Sequence, residues 1–218
     1  LTSPSSVTIY NTELKFKNVL IVAISQSGQS PDLVAYANAA LKSGATLISL
    51  TNDAHSPLAQ AADIHIDLDA GPELAVAASK SYAAQLLVSY LLVRAWQNKA
   101  SDANDLVASA EGLLSQDIST AVSACDIRNE IVILGRGFSY PNAREAALKI
   151  QETNKVSVQG LSTADYLHGP ISALTSQTQV VLLAPNKIPT ASMSEALARI
   201  RAAKARIFWI GNGAELAN

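Results

Sequence analysis

The run Val19-Leu20-Ile21-Val22-Ala23-Ile24 is short, continuous and rich in β-branched residues, and it breaks at once into Ser25-Gln26-Ser27-Gly28-Gln29-Ser30-Pro31. A strand that is apolar on both sides must be covered on both faces, so the pattern predicts a parallel sheet with helices above and below it. Ser30-Pro31-Asp32 then reads as an N-cap, a proline at the first helical position and an early acid. Leu33, Ala37, Ala40 and Leu41 follow at helical spacing until Gly44.

The same alternation continues along the chain. Ala45 to Leu50 and Ile64 to Leu68 read as strands around a short helix from Pro57 to Ala62, and a long helix is expected from Glu73 to Asn98. A polar stretch from Asn98 to Asp105 leads into connector helices as far as Cys125. The β-α grammar then repeats, with strands at Glu130 to Leu134, Val156 to Gln159, Gln179 to Ala184 and Arg206 to Ile210. Helices are expected at Pro141 to Thr153, near Ala164 and at Ser192 to Ala203. This order predicts an α/β chain of two consecutive doubly wound parallel-sheet units with right-handed crossovers. Residues 1–124 form the first unit, with a helical connector over about 99–124, and residues 125–218 form the second. Each unit reads as clipped, the first ahead of Val19 and the second after its last strand, and a missing strand would leave an exposed edge.

Composition narrows the function. Sixteen Lys and Arg against 18 Asp and Glu give a formal charge of -2, which leaves no electrostatic footprint for nucleic acid or an anionic membrane. With 49% apolar residues the chain is not disordered, and 37 alanines against 5% aromatics point to close helix packing. The apolar runs fall short of the ~18 to 20 residues of a membrane-spanning helix. Cys125 is the only cysteine, which excludes an intrachain disulfide or cysteine metal cluster and suits a reducing, cytoplasmic setting.

In open parallel sheets the ligand crevice lies beyond the carboxyl ends of the strands, where helix N-termini present unpaired N–H groups. Ser25, Gln26, Ser27 and Ser30 sit in that place and could wrap a phosphate with hydroxyls, an amide and backbone N–H groups; an ordinary Ser-rich strand-to-helix turn has the same composition. The segment lacks the Gly-Lys-Ser/Thr of a triphosphate-binding loop. Gly135-Arg136-Gly137 invites a dinucleotide reading, but position 140 is Tyr140 and no acid ends the following strand, so that fingerprint fails twice. Lys149 and Glu152 are three apart on one helix and can pair, which on its own describes a solvated ion pair. His168 lies in the turn Tyr166-Leu167-His168-Gly169-Pro170, whereas His55 and His65 fall in a polar loop and an alternating strand; no spacing supports a metal site.

Four ordered segments resemble the tandem sugar isomerase (SIS) family. They are Ile24-Ser25-Gln26-Ser27-Gly28-Gln29-Ser30-Pro31-Asp32, Gly71-Pro72-Glu73-Leu74-Ala75-Val76-Ala77-Ala78-Ser79-Lys80-Ser81, Leu134-Gly135-Arg136-Gly137 with Glu145 to Glu152, and Leu167-His168-Gly169-Pro170. The family includes SIS-type glucosamine-6-phosphate deaminases, fructosamine-6-phosphate deglycases and the isomerase half of glucosamine-6-phosphate synthase. The resemblance implies that Ser25, Gln26, Ser27 and Ser30 bind the phosphate of a sugar phosphate and that backbone near Val76 lines the sugar site. It implies that Glu152 moves a proton between C1 and C2, that His168, sixteen positions on, assists ring opening, and that Lys149 holds substrate oxygens. It further implies a homodimer with sites at the subunit interface, and no metal or organic cofactor.

Within the family, synthases usually carry lysine where this chain has Gln151 and Leu167, so the likeness leans to the deaminase and deglycase branch. The function expected from it is an amino-sugar-phosphate aldose-ketose isomerase, foremost a glucosamine-6-phosphate deaminase. SIS units also serve as non-catalytic sugar-phosphate sensors, but a sensor has no need of the Glu152 and His168 pair.

Overall fold

The computed structural model describes residues 3–99, 103–184 and 191–211, so the centre of the polar stretch after Asn98 lies outside the described residues. The chain divides into two compact units, Leu1–Glu111 and Gly112–Asn218.

The first unit runs α1 (Ser5–Thr8), β1 (Leu20–Ile24), α2 (Pro31–Lys42), β2 (Thr46–Thr51), α3 (Pro57–Ala61), β3 (Ile64–Asp67) and α4 (Lys80–Trp96), with α5 (Asn104–Leu114) beginning at its end. Its sheet is parallel in the order β1-β2-β3, with Val22 opposite Ile48 and Leu50 opposite Ile66. Central β2 is covered on both faces. Leu47 packs with Ala23, Ala37 and Leu58 under α2 and α3, while Ile48 and Leu50 pack with Leu68 and with Ala84 and Val88 of α4. Leu20, Val22 and Ile24 on β1 remain exposed beside this second layer.

The long helix expected from Glu73 begins only at Lys80. Ahead of it the Glu73 carboxylate accepts hydrogen bonds from the backbone N–H of Ser79 (3.1 Å), the N–H of Ser81 (2.9 Å) and the Ser81 hydroxyl (3.0 Å). Glu73 therefore caps the helix from outside, satisfying first-turn N–H groups and placing negative charge at the positive end of the helix dipole.

The second unit contains α6 (Ser119–Ala124), β4 (Ile131–Gly135), α7 (Ser139–Asn154), β5 (Val158–Ser162), α8 (Thr163–Leu167), a 3₁₀ turn at Pro170–Ala173, β6 (Gln179–Leu183), α9 (Ala191–Ala202) and β7 (Arg206–Ile210). All four strands are parallel in the order β5-β4-β6-β7. Every residue of β4 is buried. Ile131 and Ile133 face Ala143 and Ala147 of α7, and Val132 and Leu134 join Met193, Ala196, Leu197 and Ile200 of α9. Burying one such side chain stabilises the fold by about 2 kcal/mol, so this strand ties both helical layers together. β5 starts two residues later than its apolar pattern suggests, because its pairing with β4 begins at Val158, opposite Ile131, while Val156 packs on the same cluster from outside the strand.

Two glycines set how closely α7 approaches the sheet. A Cβ on Gly135 would lie 2.3 Å from the Ser139 carbonyl oxygen, and one on Gly160 would lie 2.5 Å from that of Ala143. Both obstacles are backbone and cannot swing aside. Gly160→Ala is therefore expected to destabilise the protein by about 3 kcal/mol, measured as a lower midpoint in denaturant unfolding with an unchanged slope.

Candidate functional site

In the first unit the site begins where β1 ends. Ser25 continues the sheet by donating its N–H to the Leu50 carbonyl (3.0 Å), and its hydroxyl oxygen accepts the Gly28 N–H (3.0 Å). The Ser27 hydroxyl accepts the Gln29 N–H at 3.3 Å. The Gln26 carbonyl accepts from Asn52 N–H (3.0 Å) and the Gly28 carbonyl from Leu58 N–H (3.1 Å), so neighbouring backbone holds the loop from beneath. Gly28 has φ +62, and a Cβ there would lie 2.2 Å from the Ser56 hydroxyl; both its conformation and the space require glycine.

Ser30 stands at the N-cap of α2, exposed and without a side-chain capping bond, and Pro31 brings no N–H of its own. The remaining first-turn N–H groups lack partners within the helix and carry the positive end of its dipole. The sequence-predicted residues Ser25, Gln26, Ser27 and Ser30 thus share one short loop at the carboxyl end of the sheet. Val76 lies elsewhere on the same unit, in the loop between Gly71 and α4, with its side chain 90% exposed.

In the second unit, Glu152 and Lys149 occupy the last turns of α7. Lys149 Nζ lies 2.7 Å from Glu152 Oε2 and 3.5 Å from Glu145 Oε1, and all three side chains are about three-quarters covered. Burial works against the Lys149 charge, but the hydrogen bond to Glu152 and the Glu145 charge outweigh it, so its pKa is raised and it stays an ammonium. The C-terminal end of a helix is unfavourable for a carboxylate, and Lys149 offsets that for Glu152. Sequence reasoning paired Lys149 with Glu152 and missed Glu145, although the i,i+4 spacing from Glu145 to Lys149 was there to be read.

His168 closes α8, its N–H donating to the Asp165 carbonyl at 3.1 Å, and its side chain is exposed. The helix is anchored on the other side by Tyr166, whose burial, aided by the Glu130 charge, pushes its hydroxyl pKa up to about 12. No hydrogen bond joins His168 to Glu152 among the described residues, so within one chain the structure brings together Glu145, Lys149 and Glu152 and leaves His168 outside that cluster. His65 is engaged in the first sheet, its Nδ1 3.1 Å from the Ser49 hydroxyl. A groove of about 580 Å³ runs between α7 and β5 past Arg144, Glu145, Leu148 and Gly160, and neither Glu152 nor His168 lines it.

Among the described residues, no group of three or more His, Cys, Asp or Glu is gathered where it could hold a metal ion, and no helix is long and apolar enough to cross a membrane.

Both units are parallel α/β sheets with polar groups gathered at strand and helix ends, the architecture of a doubly wound α/β protein. The SIS domain model matches residues 9–95 and 127–215, and the chain belongs to the SIS family. It is 35% identical over 207 residues to glutamine--fructose-6-phosphate aminotransferase [isomerizing] of Sulfurisphaera tokodaii, covering 91% of this chain and 34% of that protein. With the protein of the same name from Gloeobacter violaceus it is 34% identical over 193 residues, covering 81% and 32%. The chain therefore spans about a third of the curated relatives it matches.

A crystal structure of a protein provisionally named a phosphosugar isomerase, from Silicibacter pomeroyi, superposes with a TM-score of 0.77 at 33% identity, covering 95% of this chain and 64% of that one. Glucosamine-6-phosphate deaminase from Thermotoga maritima superposes with a TM-score of 0.83 at 20% identity, covering 96% and 66%, and shares the fold.

The Glu73 cap yields a pH test. The backbone hydrogen bond from Ser81 is the largest influence and holds the Glu73 pKa below its ordinary 4.5, with desolvation opposing it. The stability this carboxylate supplies is present in full above that value and is lost as the pH falls through the lower folded pKa. Glu73→Gln should therefore lower the melting temperature at neutral pH and flatten its fall on acidification, checked by thermal scans across the acid range.

Proposed function

We propose that the chain carries the proton-transfer chemistry of an amino-sugar-phosphate isomerase. Its phosphate ligands are Ser25, Gln26, Ser27 and Ser30, the backbone around Val76 lines the sugar site, and Glu152 is the base. The observation that carries this reading is the 2.7 Å Lys149–Glu152 pair at the end of α7, in a chain whose family match spans both units.

The chemistry follows from the residue types. Remote binding energy on the phosphate is what orients the carbonyl end of a sugar for reaction. Protonation of the ring oxygen opens the ring, and an imidazole, which changes charge near neutrality, suits that step; His168 takes it. Glu152 then removes the proton from C2 of the open-chain aldose and returns it to C1, with Lys149 stabilising the oxygen on which negative charge collects. When C2 carries an amino group the product is a ketimine. Water adds to it and ammonia leaves, so that glucosamine 6-phosphate and water become fructose 6-phosphate and ammonia. The exposure of His168 and its lack of a bond to Glu152 support a homodimer in which the histidine of one copy serves the glutamate of the other.

Deaminase is the first choice within this class, because Gln151 and Leu167 stand where synthases usually carry lysine. Both are used inside the fold: the Gln151 amide donates to the Val158 carbonyl, and Leu167 packs against the core of the second unit. The names of the relatives at 34% and 35% identity favour a second reading, the isomerase half of a glutamine-dependent aminotransferase. Supplying the protein with glucosamine 6-phosphate separates the two. Release of ammonia and fructose 6-phosphate without glutamine supports the deaminase, whereas no ammonia from glucosamine 6-phosphate, with interconversion of fructose and glucose 6-phosphates when fructose 6-phosphate is supplied instead, supports the isomerase half. Release of an amino acid from fructosamine 6-phosphates points instead to a deglycase.

Glu152→Gln is expected to lower turnover by about a thousandfold while leaving substrate affinity within a few-fold; wild-type turnover in this variant removes Glu152 as the base. Ser27→Ala should raise KM about tenfold with little change in kcat, the pattern of a lost binding contact remote from the reacting carbons.

A further inference from the structure

Asn52 follows β2 and joins two loops of the first unit. Its backbone N–H donates to the Gln26 carbonyl at 3.0 Å. Its side chain turns to the chain leaving β3, where Nδ2 donates to the Gly71 carbonyl at 2.8 Å and Oδ1 accepts the Ala70 N–H at 2.9 Å. Both side-chain bonds use the two edges of one planar amide, a donor and an acceptor side by side, which an ionised aspartate or a leucine cannot supply.

Besides Asn52 and Glu73, the segment that starts at Gly71 is held by Lys80, whose Nζ donates to the Pro72 carbonyl. Leu74 and Val76 are 93% and 90% exposed, so core packing fixes neither of these side chains. Its far end is secured where the Glu73 carboxylate caps α4. Its near end is secured by Asn52, which is also the residue beneath Gln26.

We propose, resting on the sugar-phosphate reading above, that Asn52 is the positioning residue that fixes the 70–79 segment, with Val76, relative to the phosphate loop. The two loops meet different parts of one ligand under that reading, the phosphate and the sugar. Asn52 sets the spacing between those contacts and touches neither part of the ligand itself.

Removal of the side chain then has a selective effect. Asn52→Ala keeps the backbone bond to Gln26, so the phosphate loop stays intact while the 70–79 segment loses its near anchor. Titration calorimetry with two probes, inorganic phosphate and glucosamine 6-phosphate, reads this directly. Asn52→Ala should weaken glucosamine 6-phosphate binding by about tenfold and leave inorganic phosphate binding within about twofold of wild type. Amide exchange should quicken at Ala70 and stay unchanged at Gly28.

Asn52→Leu removes both side-chain bonds while keeping the side chain's volume and adding no charge, so it provides a second variant with the same selective loss for the sugar phosphate. Equal weakening of both probes, or wild-type affinity for both, in either folded variant overturns the role of Asn52 while leaving the sugar-phosphate reading standing. A wild-type protein that binds neither probe overturns that reading and this use of Asn52 with it.

Discussion

The first unit depends on a close approach of backbone to side chain. At Gly28 the chain passes so near Ser56 that a Cβ would sit 2.2 Å from its hydroxyl, and that approach lets the Gly28 carbonyl accept from Leu58 and its N–H reach Ser25. The loop after β1 is therefore built on fixed backbone from β2 and the start of α3. A polar loop at the end of a buried strand ordinarily keeps conformational freedom that a ligand must remove on binding. Here the surrounding elements have already removed much of it, and the exposed groups, Gln29 and Ser30 with the first turn of α2, face solvent from a settled frame.

The second unit solves a different problem. The Glu152 carboxylate stands near the end of a helix, where the dipole opposes negative charge, and Lys149 between Glu145 and Glu152 offsets this. With two carboxylates sharing one ammonium, a change of charge on either leaves the lysine paired. The close seating of α7 at Gly135 and Gly160 fixes the helix that carries all three groups, so electrostatics at its end depend on steric room along its side.

Much of this was legible in the residues. Continuous β-branched runs marked β1 and β4 as strands, and Ser-Pro-Asp marked the start of α2, because these are local signals; β4 is buried on both faces as its pattern implies, whereas β1 is the edge of its sheet, with Leu20, Val22 and Ile24 exposed. The Glu152–Lys149 pair was visible as helical spacing, and the loop from Ser25 to Ser30 as polar residues at a strand end. The late start of α4 was not legible: Glu73 looked like a first-turn acid, and only the folded loop shows it reaching across to Ser79 and Ser81. Asn52 was invisible for the same reason, since its partners lie 18 and 19 positions away and nothing in the spacing connects them. The surroundings of His168 were equally out of reach, because short helices such as α8 are placed by packing, here by Tyr166, rather than by their own propensity.

The low charge of the chain takes on a definite sense beside these two sites. A net charge of -2 gives no long-range attraction for a phosphorylated ligand, and the loop from Ser25 to Ser30 contains no lysine or arginine. A cradle of hydroxyls, amide and helix dipole acts only at hydrogen-bond distance and depends on orientation, so it selects a phosphate by geometry more than by charge. On α7 the Lys149 ammonium is balanced by the two carboxylates Glu145 and Glu152, so under the proposed function its charge becomes available as charge develops on a substrate oxygen. Under the proposed function the hydroxyl-lined loop of the first unit and the charge-balanced cluster of the second lie on different elements, so substitutions in one need not alter the hydrogen bonds of the other.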